Sequence, residues 1–267
     1  MKLSAIFFAT AVLFSNAARA LPPQMVSRRS ARRMNPLYPA ENSQADAVEA
    51  TNTTIQYSGN WSGAVLTSPP AGEIFTTASG TFTVPKTVTA SGNGAAAAWV
   101  GIDGDTFATA ILQAGVYFSV TGDTVEYGAF YEWWPNFATD IPTEVFGISA
   151  GDVITINIVA TSLSAGTVTL INQTKKTQFS IPQSAPTKLS LLGGQNAEWI
   201  VEDYTQNGGI VPLANWGTVN FVNASASTST RTAVDLSGAT IFDIKQFGVV
   251  YTDVTIDSGS SVSVAYA

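Results

Sequence analysis

The stretch NAEWIVEDY, Asn196 to Tyr204, sets three carboxylates, Glu198, Glu202 and Asp203, within six residues of a strand-like pattern. The chain contains no His and no Cys. A Ser-His-Asp triad, a thiol nucleophile, a His- or Cys-ligated metal and a disulfide are therefore excluded. Acid–base chemistry falls to Asp, Glu, Tyr or Lys, with Asn, Gln and backbone amides left to polarise a substrate. A carboxyl held among aromatic side chains has a raised pKa and acts as general base or acid. A neutral amide N–H beside it stabilises a developing oxyanion. The uncharged Gln113 in the apolar run ILQAG fits the second role, although a half-buried glutamine with satisfied hydrogen bonds is the commoner case.

Side chains alternate between the faces of a strand. In AAWVGIDGD one face holds Trp99, Gly101 and Asp103, and in TAILQAG one face holds Thr109, Ile111 and Gln113. In AFYEWWP, Phe130, Glu132 and Trp134 share a face, and in AEWIVED Glu198, Ile200 and Glu202 do. If these strands are neighbours, Trp99, Asp103, Gln113, Glu132, Trp134 and Glu202 line a groove for an extended substrate. The plain alternative is a set of solvated strand faces bearing these residues by accident.

The elements that must position them are strands. Thr, Ser, Val, Ala and Gly dominate, and only 12% of residues are charged. Segments such as VITINIVAT alternate apolar and polar residues, and turns rich in Gly, Asn, Asp and Pro separate them. About a dozen strands and no amphipathic helix predict an all-β fold, an antiparallel β-sandwich of two sheets. Four Asn-x-Ser/Thr sequons occur, and Asn172 and Asn223 are the turn-like candidates for glycosylation.

Three parts follow along the chain. Residues 1–20 have Lys2, an apolar run and a terminal ARA, the pattern of a secretory signal peptide. Residues 21–53 carry Arg28, Arg29, Arg32 and Arg33 among four prolines and read as a basic pro-segment. A disordered basic tail is the blander reading. Residues 54–267 form the main domain. Beyond position 50 there are six basic and sixteen acidic residues, a net of −10, which repels nucleic acid and anionic membranes. The basic segment is expected to lie against this domain as an intramolecular inhibitor and to leave as acid discharges the carboxylates.

The motifs NWSGAV, AAWVGIDGDTFATAILQAG, YEWWP and NAEWIVEDY resemble those of the glutamic peptidases, the eqolisins, from about Tyr57 to the C-terminus. The resemblance implies a sandwich of two long, curved sheets and a secreted, acid-active fungal endopeptidase acting on protein or peptide substrates as a monomer. Neither cofactor nor metal is implied. It implies a catalytic dyad of Gln113 and Glu202, with Glu198 at a non-catalytic position. Trp99, Asp103 and Glu132 match cleft positions, and Trp61 and Trp134 match aromatic walls. The family's D-A-W-Y-E-W-Y is G-A-F-Y-E-W-W here, from Gly128 to Trp134, which changes the subsites. Two other classes compete: a β-sandwich glycoside hydrolase pairing Glu132 with Glu202, and a non-catalytic carbohydrate-binding protein.

Overall fold

The computed structural model describes residues 31–40, 46–47, 54–87 and 92–267. The leader expected over residues 1–20, the start of the basic segment and the sequon at Asn52 lie outside the described residues. Fifteen strands of three or more residues are present among the described residues, with one 3-10 turn at Leu236–Gly238 and no α-helix. In chain order they are β1 (Thr54–Ser58), β2 (Trp61–Leu66), β3 (Phe75–Thr83), β4 (Gly94–Ile102), β5 (Ile111–Thr121), β6 (Thr124–Trp134), β7 (Thr139–Ile141) and β8 (Val153–Ser162). The rest are β9 (Ala165–Asn172), β10 (Thr177–Ser184), β11 (Ala197–Glu202), β12 (Thr218–Thr228), β13 (Thr240–Gln246), β14 (Thr252–Ser258) and β15 (Ser261–Tyr266).

Two sheets make the sandwich. One has the order β1-β13-β2-β11-β4-β5-β6-β7, with Asp46–Ala47 added beside β1. The other has the order β10-β9-β8-β3-β12-β15-β14. Pairing is antiparallel except between β1 and β13, where Ile55 lies beside Ile241 in a parallel pair. The sequence pattern alone predicts only antiparallel neighbours. It does not reveal a pair closed between segments nearly two hundred residues apart.

The second sheet shows the alternation expected of a half-solvated sheet. Ile154, Ile156 and Ile158 are buried, whereas Thr155 and Asn157 are part-exposed. Its outer face is laced by cross-strand polar pairs, Thr81 with Thr155 at 2.8 Å and Ser79 with Asn157 at 2.7 Å. Phe82, Ile156, Leu170 and Phe221 meet Val100, Leu112, Val116 and Trp199 of the first sheet in the core. Trp199 fastens the two layers: its indole N–H donates to the Ser79 carbonyl at 2.7 Å.

The first sheet departs from alternation. Every residue of β2, β4 and β11 is buried, so both faces of this sheet are covered. A second apolar cluster, including Met34, Trp61, Trp99, Ile111, Tyr117, Phe130, Ile200 and Tyr204, lies on the face away from the core. Met34 belongs to the basic segment, so part of that cover comes from residues before the main domain.

Close approach of β2 and β11 depends on Gly63. Its φ is +145°, and a Cβ there would fall 2.0 Å from the Trp199 carbonyl oxygen. Gly63→Ala is expected to destabilise the protein by at least ~3 kcal/mol through strain and overpacking. The check is its chemical-denaturation midpoint against wild type; an unchanged midpoint would contradict this geometry.

Candidate active site

Strand register sets the site. On the face opposite the core, Glu198 of β11 pairs with Gly101 of β4, Gly101 with Gln113 of β5, and Gln113 with Glu132 of β6. Four residues further along β11, Glu202 pairs with Trp61 of β2 and Ala97 of β4. Trp99 lies between these rows, beside Ile200 and Gly115. Gln113, Glu132, Glu198, Glu202, Trp61 and Trp99 are all essentially fully buried. These side chains therefore share one face of one sheet.

Glu202 is the best-connected carboxyl on this face. Its Oε2 accepts the Trp99 indole N–H at 2.9 Å. Its Oε1 accepts the backbone N–H of Asn35 at 2.8 Å and the Asn60 amide at 3.5 Å. Burial pushes this carboxyl well above the ordinary range; those three donors oppose the shift and Asp203 adds to it. Glu132 is also pushed well up by burial, the Met34 bond opposing and the nearby Glu202 reinforcing. Its Oε2 accepts the backbone N–H of Met34 at 3.1 Å. Successive amides of one chain segment thus rest on Glu132 and Glu202. Neither amide atom of Gln113 has a hydrogen-bond partner among the described residues.

Trp61 stands edge-on to Trp99 at 5.0 Å and donates its indole N–H to the Asn35 carbonyl at 2.9 Å. Trp134 is half-buried at the border of the same apolar cluster. Asp103 is not in the groove. Its φ of +69° breaks the alternation, and its carboxylate accepts the backbone N–H groups of Gly193, Gly194, Gln195 and Asn196 at 2.7, 2.9, 2.7 and 3.3 Å. It clamps the turn that leads into β11, and so acts on Glu202 only through that strand. Asn172 is likewise unavailable for glycosylation: it is fully buried and its amide donates to Asp152 at 2.8 Å. Asn223 is exposed at a register shift of β12, with a φ of +52°.

Residues 31–40 cross this groove. Arg32 ion-pairs with Asp140 and lies 3.5 Å over the Tyr117 ring; Arg33 lies 4.3 Å over Phe137. Leu37 N–H donates to Gly104 O at 3.0 Å, and Gly59 N–H to Tyr38 O at 2.7 Å. Sequence reasoning missed Asn60, whose side chain accepts from Tyr38 N–H at 2.8 Å and donates to Pro36 O at 3.1 Å. Asn60 belongs to the NWSG stretch, where the sequon pattern gives no sign of this role. Tyr117, Tyr204 and Asp140 were also missed; Tyr117 falls on the groove face by simple alternation from Gln113.

Residues 59–266 match the model of the peptidase A4 family. The chain belongs to that family. Aspergillopepsin-2 of Aspergillus niger is 38% identical across the full length of both chains. Scytalidopepsin B of Scytalidium lignicola is 38% identical over 90% of this chain and 89% of its own. A crystal structure of scytalido-glutamic peptidase with a transition state analog inhibitor superposes with a TM-score of 0.70 at 36% identity. It covers 78% of this chain and 98% of its own. This eqolisin is accordingly a glutamic endopeptidase with the sandwich of its family, and the glycoside hydrolase and carbohydrate-binding readings fall away.

The eqolisin carries further buried carboxyls. Burial raises Asp203 and Asp243 to about 7 and Asp105 to about 6. A group whose folded pKa is raised stabilises the fold below its unfolded pKa, and that stability is lost as pH rises through the folded value. All of these shifts have that sign. Thermal stability is expected to be highest near pH 4 and to fall steadily toward pH 7, Asp203 and Asp243 contributing on the order of a few kcal/mol each and the part-exposed, solvent-screened Asp105 less. A melting temperature that climbs from pH 4 to pH 7 would contradict this.

Proposed function

We propose that this eqolisin is made as a secreted precursor and cleaves proteins in acid, with Glu202 as general base and acid and Gln113 as oxyanion donor. Residues 1–20 direct secretion and residues 21–53 serve as an intramolecular inhibitor. One observation carries the reading: a fully buried carboxyl, Glu202, shares a sheet face with an unpartnered buried amide, Gln113, while a peptide backbone lies across both rows. Among the described residues no helix is long and apolar enough to cross a membrane, and no group of three or more potential metal-binding side chains occurs.

Once residues 31–40 leave, the Oε1 that held Asn35 N–H is available to a water molecule, while Trp99 keeps Oε2 in place. Ionised Glu202 takes a proton from that water as its oxygen attacks the scissile carbonyl carbon. The carbonyl oxygen becomes an oxyanion facing the Gln113 N–H. As the C–N bond breaks, Glu202 returns the proton to the departing nitrogen. Removing the segment relieves part of the burial that raises the Glu202 pKa and brings its proton affinity toward the acidic range. Glu202 must still ionise to act as base, so activity falls at very low pH and the profile is bell-shaped.

The covering segment supports autoinhibition because it uses the same atoms. Asn35 N–H sits on the general base, Trp61 holds the Asn35 carbonyl, and Arg32 is anchored by Asp140 and Tyr117. Proteolysis of a denatured protein across pH 2 to 7, insensitive to a pepsin-type inhibitor, tests the class of activity. Gln113→Ala is expected to lower kcat by ~10²–10³ and Glu202→Gln to lower it at least as far, with melting temperatures retained. Arg32→Ala in the precursor is expected to release activity at a higher pH than wild type. Equal latency of the two precursors at every pH would remove Arg32 as an anchor of the inhibitor.

A further inference from the structure

The chemistry above leaves one buried acid on the groove face without a role. Glu198 is fully buried, and neither of its carboxyl oxygens has a hydrogen-bond partner among the described residues. The same holds for both amide atoms of Gln113 and for Glu132 Oε1. These five atoms belong to one lateral row of the sheet: Glu198, Gly101, Gln113 and Glu132. Gly101 has no side chain to separate its neighbours. A Cβ there would stand 2.7 Å from Glu198 Oε1 and 2.8 Å from the Trp99 ring, so the carboxyl and the edge of the indole both lean over the glycine. Two strand spacings, about 9.6 Å, separate the Glu198 and Gln113 backbones, and the two side chains stop short of a hydrogen bond.

An unpartnered buried polar atom costs about 1–3 kcal/mol, so five together are retained only where they serve one another or the reaction. An amide has one oxygen that accepts and two N–H bonds that donate. Its use as an oxyanion donor requires that the nitrogen, not the oxygen, face the substrate.

We propose that Glu198 is the positioning residue for Gln113: when the covering segment leaves and the two side chains turn toward each other, the neutral carboxylic acid of Glu198 donates its O–H to Gln113 Oε1. That fixes the amide so that one Nε2–H faces Glu132 Oε1 and the other faces the oxyanion. The inference rests on the reading of Gln113 as oxyanion donor. An ionised Glu198 would attract the Nε2–H group instead and turn the amide oxygen toward the substrate, where it repels the developing charge. Groups that face Glu198 favour the neutral form. Asp103 and Asp105, on the turn after β4, add to burial in raising its pKa well above the ordinary range. Val65 of β2 opposite is apolar, Gln113 of β5 is neutral, and Glu132 of β6 closes the row.

The test compares Glu198→Met, Glu198→Gln and Gln113→Ala with wild type. Each is made as the full-length precursor and processed by a trace of wild-type enzyme, whose own activity is subtracted. Activity is measured only across the pH range where circular dichroism finds each variant folded. Glu198→Met is expected to lose at least ~10-fold in kcat, with KM little changed, approaching the loss from a missing oxyanion donor. Glu198→Gln, whose amide donates at every pH, is expected to restore most of that kcat and to hold it at higher pH than wild type. Wild-type kcat in Glu198→Met would overturn the proposal. So would a Glu198→Gln variant as impaired as Glu198→Met, or one whose pH profile superposes on that of wild type. If Gln113→Ala is fully active, the oxyanion reading itself fails; if it is inactive while Glu198→Met is not, only the role of Glu198 fails. Should Glu198→Met not fold, the pH profile of Glu198→Gln decides alone.

Discussion

A carboxylate withdrawn from water must find donors, a counter-charge or a proton, and this groove withdraws three. Glu132, Glu198 and Glu202 are fully buried on one face of one sheet. Glu202 finds donors in Trp99, Asn60 and a backbone N–H. Glu132 finds one backbone N–H and the nearby charge of Arg33. Glu198 finds none among the described residues, and burial pushes its carboxyl well above the ordinary range. Acidity is thus a condition the site imposes on its surroundings. The same burial makes neutral pH unfavourable for the fold.

Much of this site was legible because strand alternation is a strong constraint. Placing Trp99, Gln113, Glu132 and Glu202 on a common face needed only four short segments and a period of two. Asp103 escaped the rule because its left-handed backbone conformation turns the carboxylate away, toward the turn before β11. Nothing in GIDGD announces that, although its flanking glycines permit a tight bend. Asn172 misled for the opposite reason: it looked turn-like, yet it ends a strand whose neighbouring loop needs its amide. The path of residues 31–40 could not be read locally at all. Two prolines and a run of arginines fix no period, and the course is set by partners such as Asn60, Gly104 and Asp140 far along the chain.

Layer order depends on the same cover. The second sheet keeps one polar face and one apolar face, as an open sandwich should. The first sheet is buried on both faces at its centre, and Met34 and Leu37 help to cover the outer one. The face that carries these carboxyls is already crossed by residues 31–40 of the same chain. Basic side chains at its rim meet rings and a carboxylate there, an arrangement that fits the division of the sequence into a basic N-terminal part and an acidic remainder.

The parallel pairing of β1 with β13 gives the molecule a ruler. From Thr54 onward the chain is sewn into the sheet between Asp46–Ala47 on one side and Ile241 to Ile244 on the other. A peptidase trimming past Thr54 must first break ladder hydrogen bonds that the chain closes with a strand nearly two hundred residues later. The seam therefore opposes digestion inward from that point.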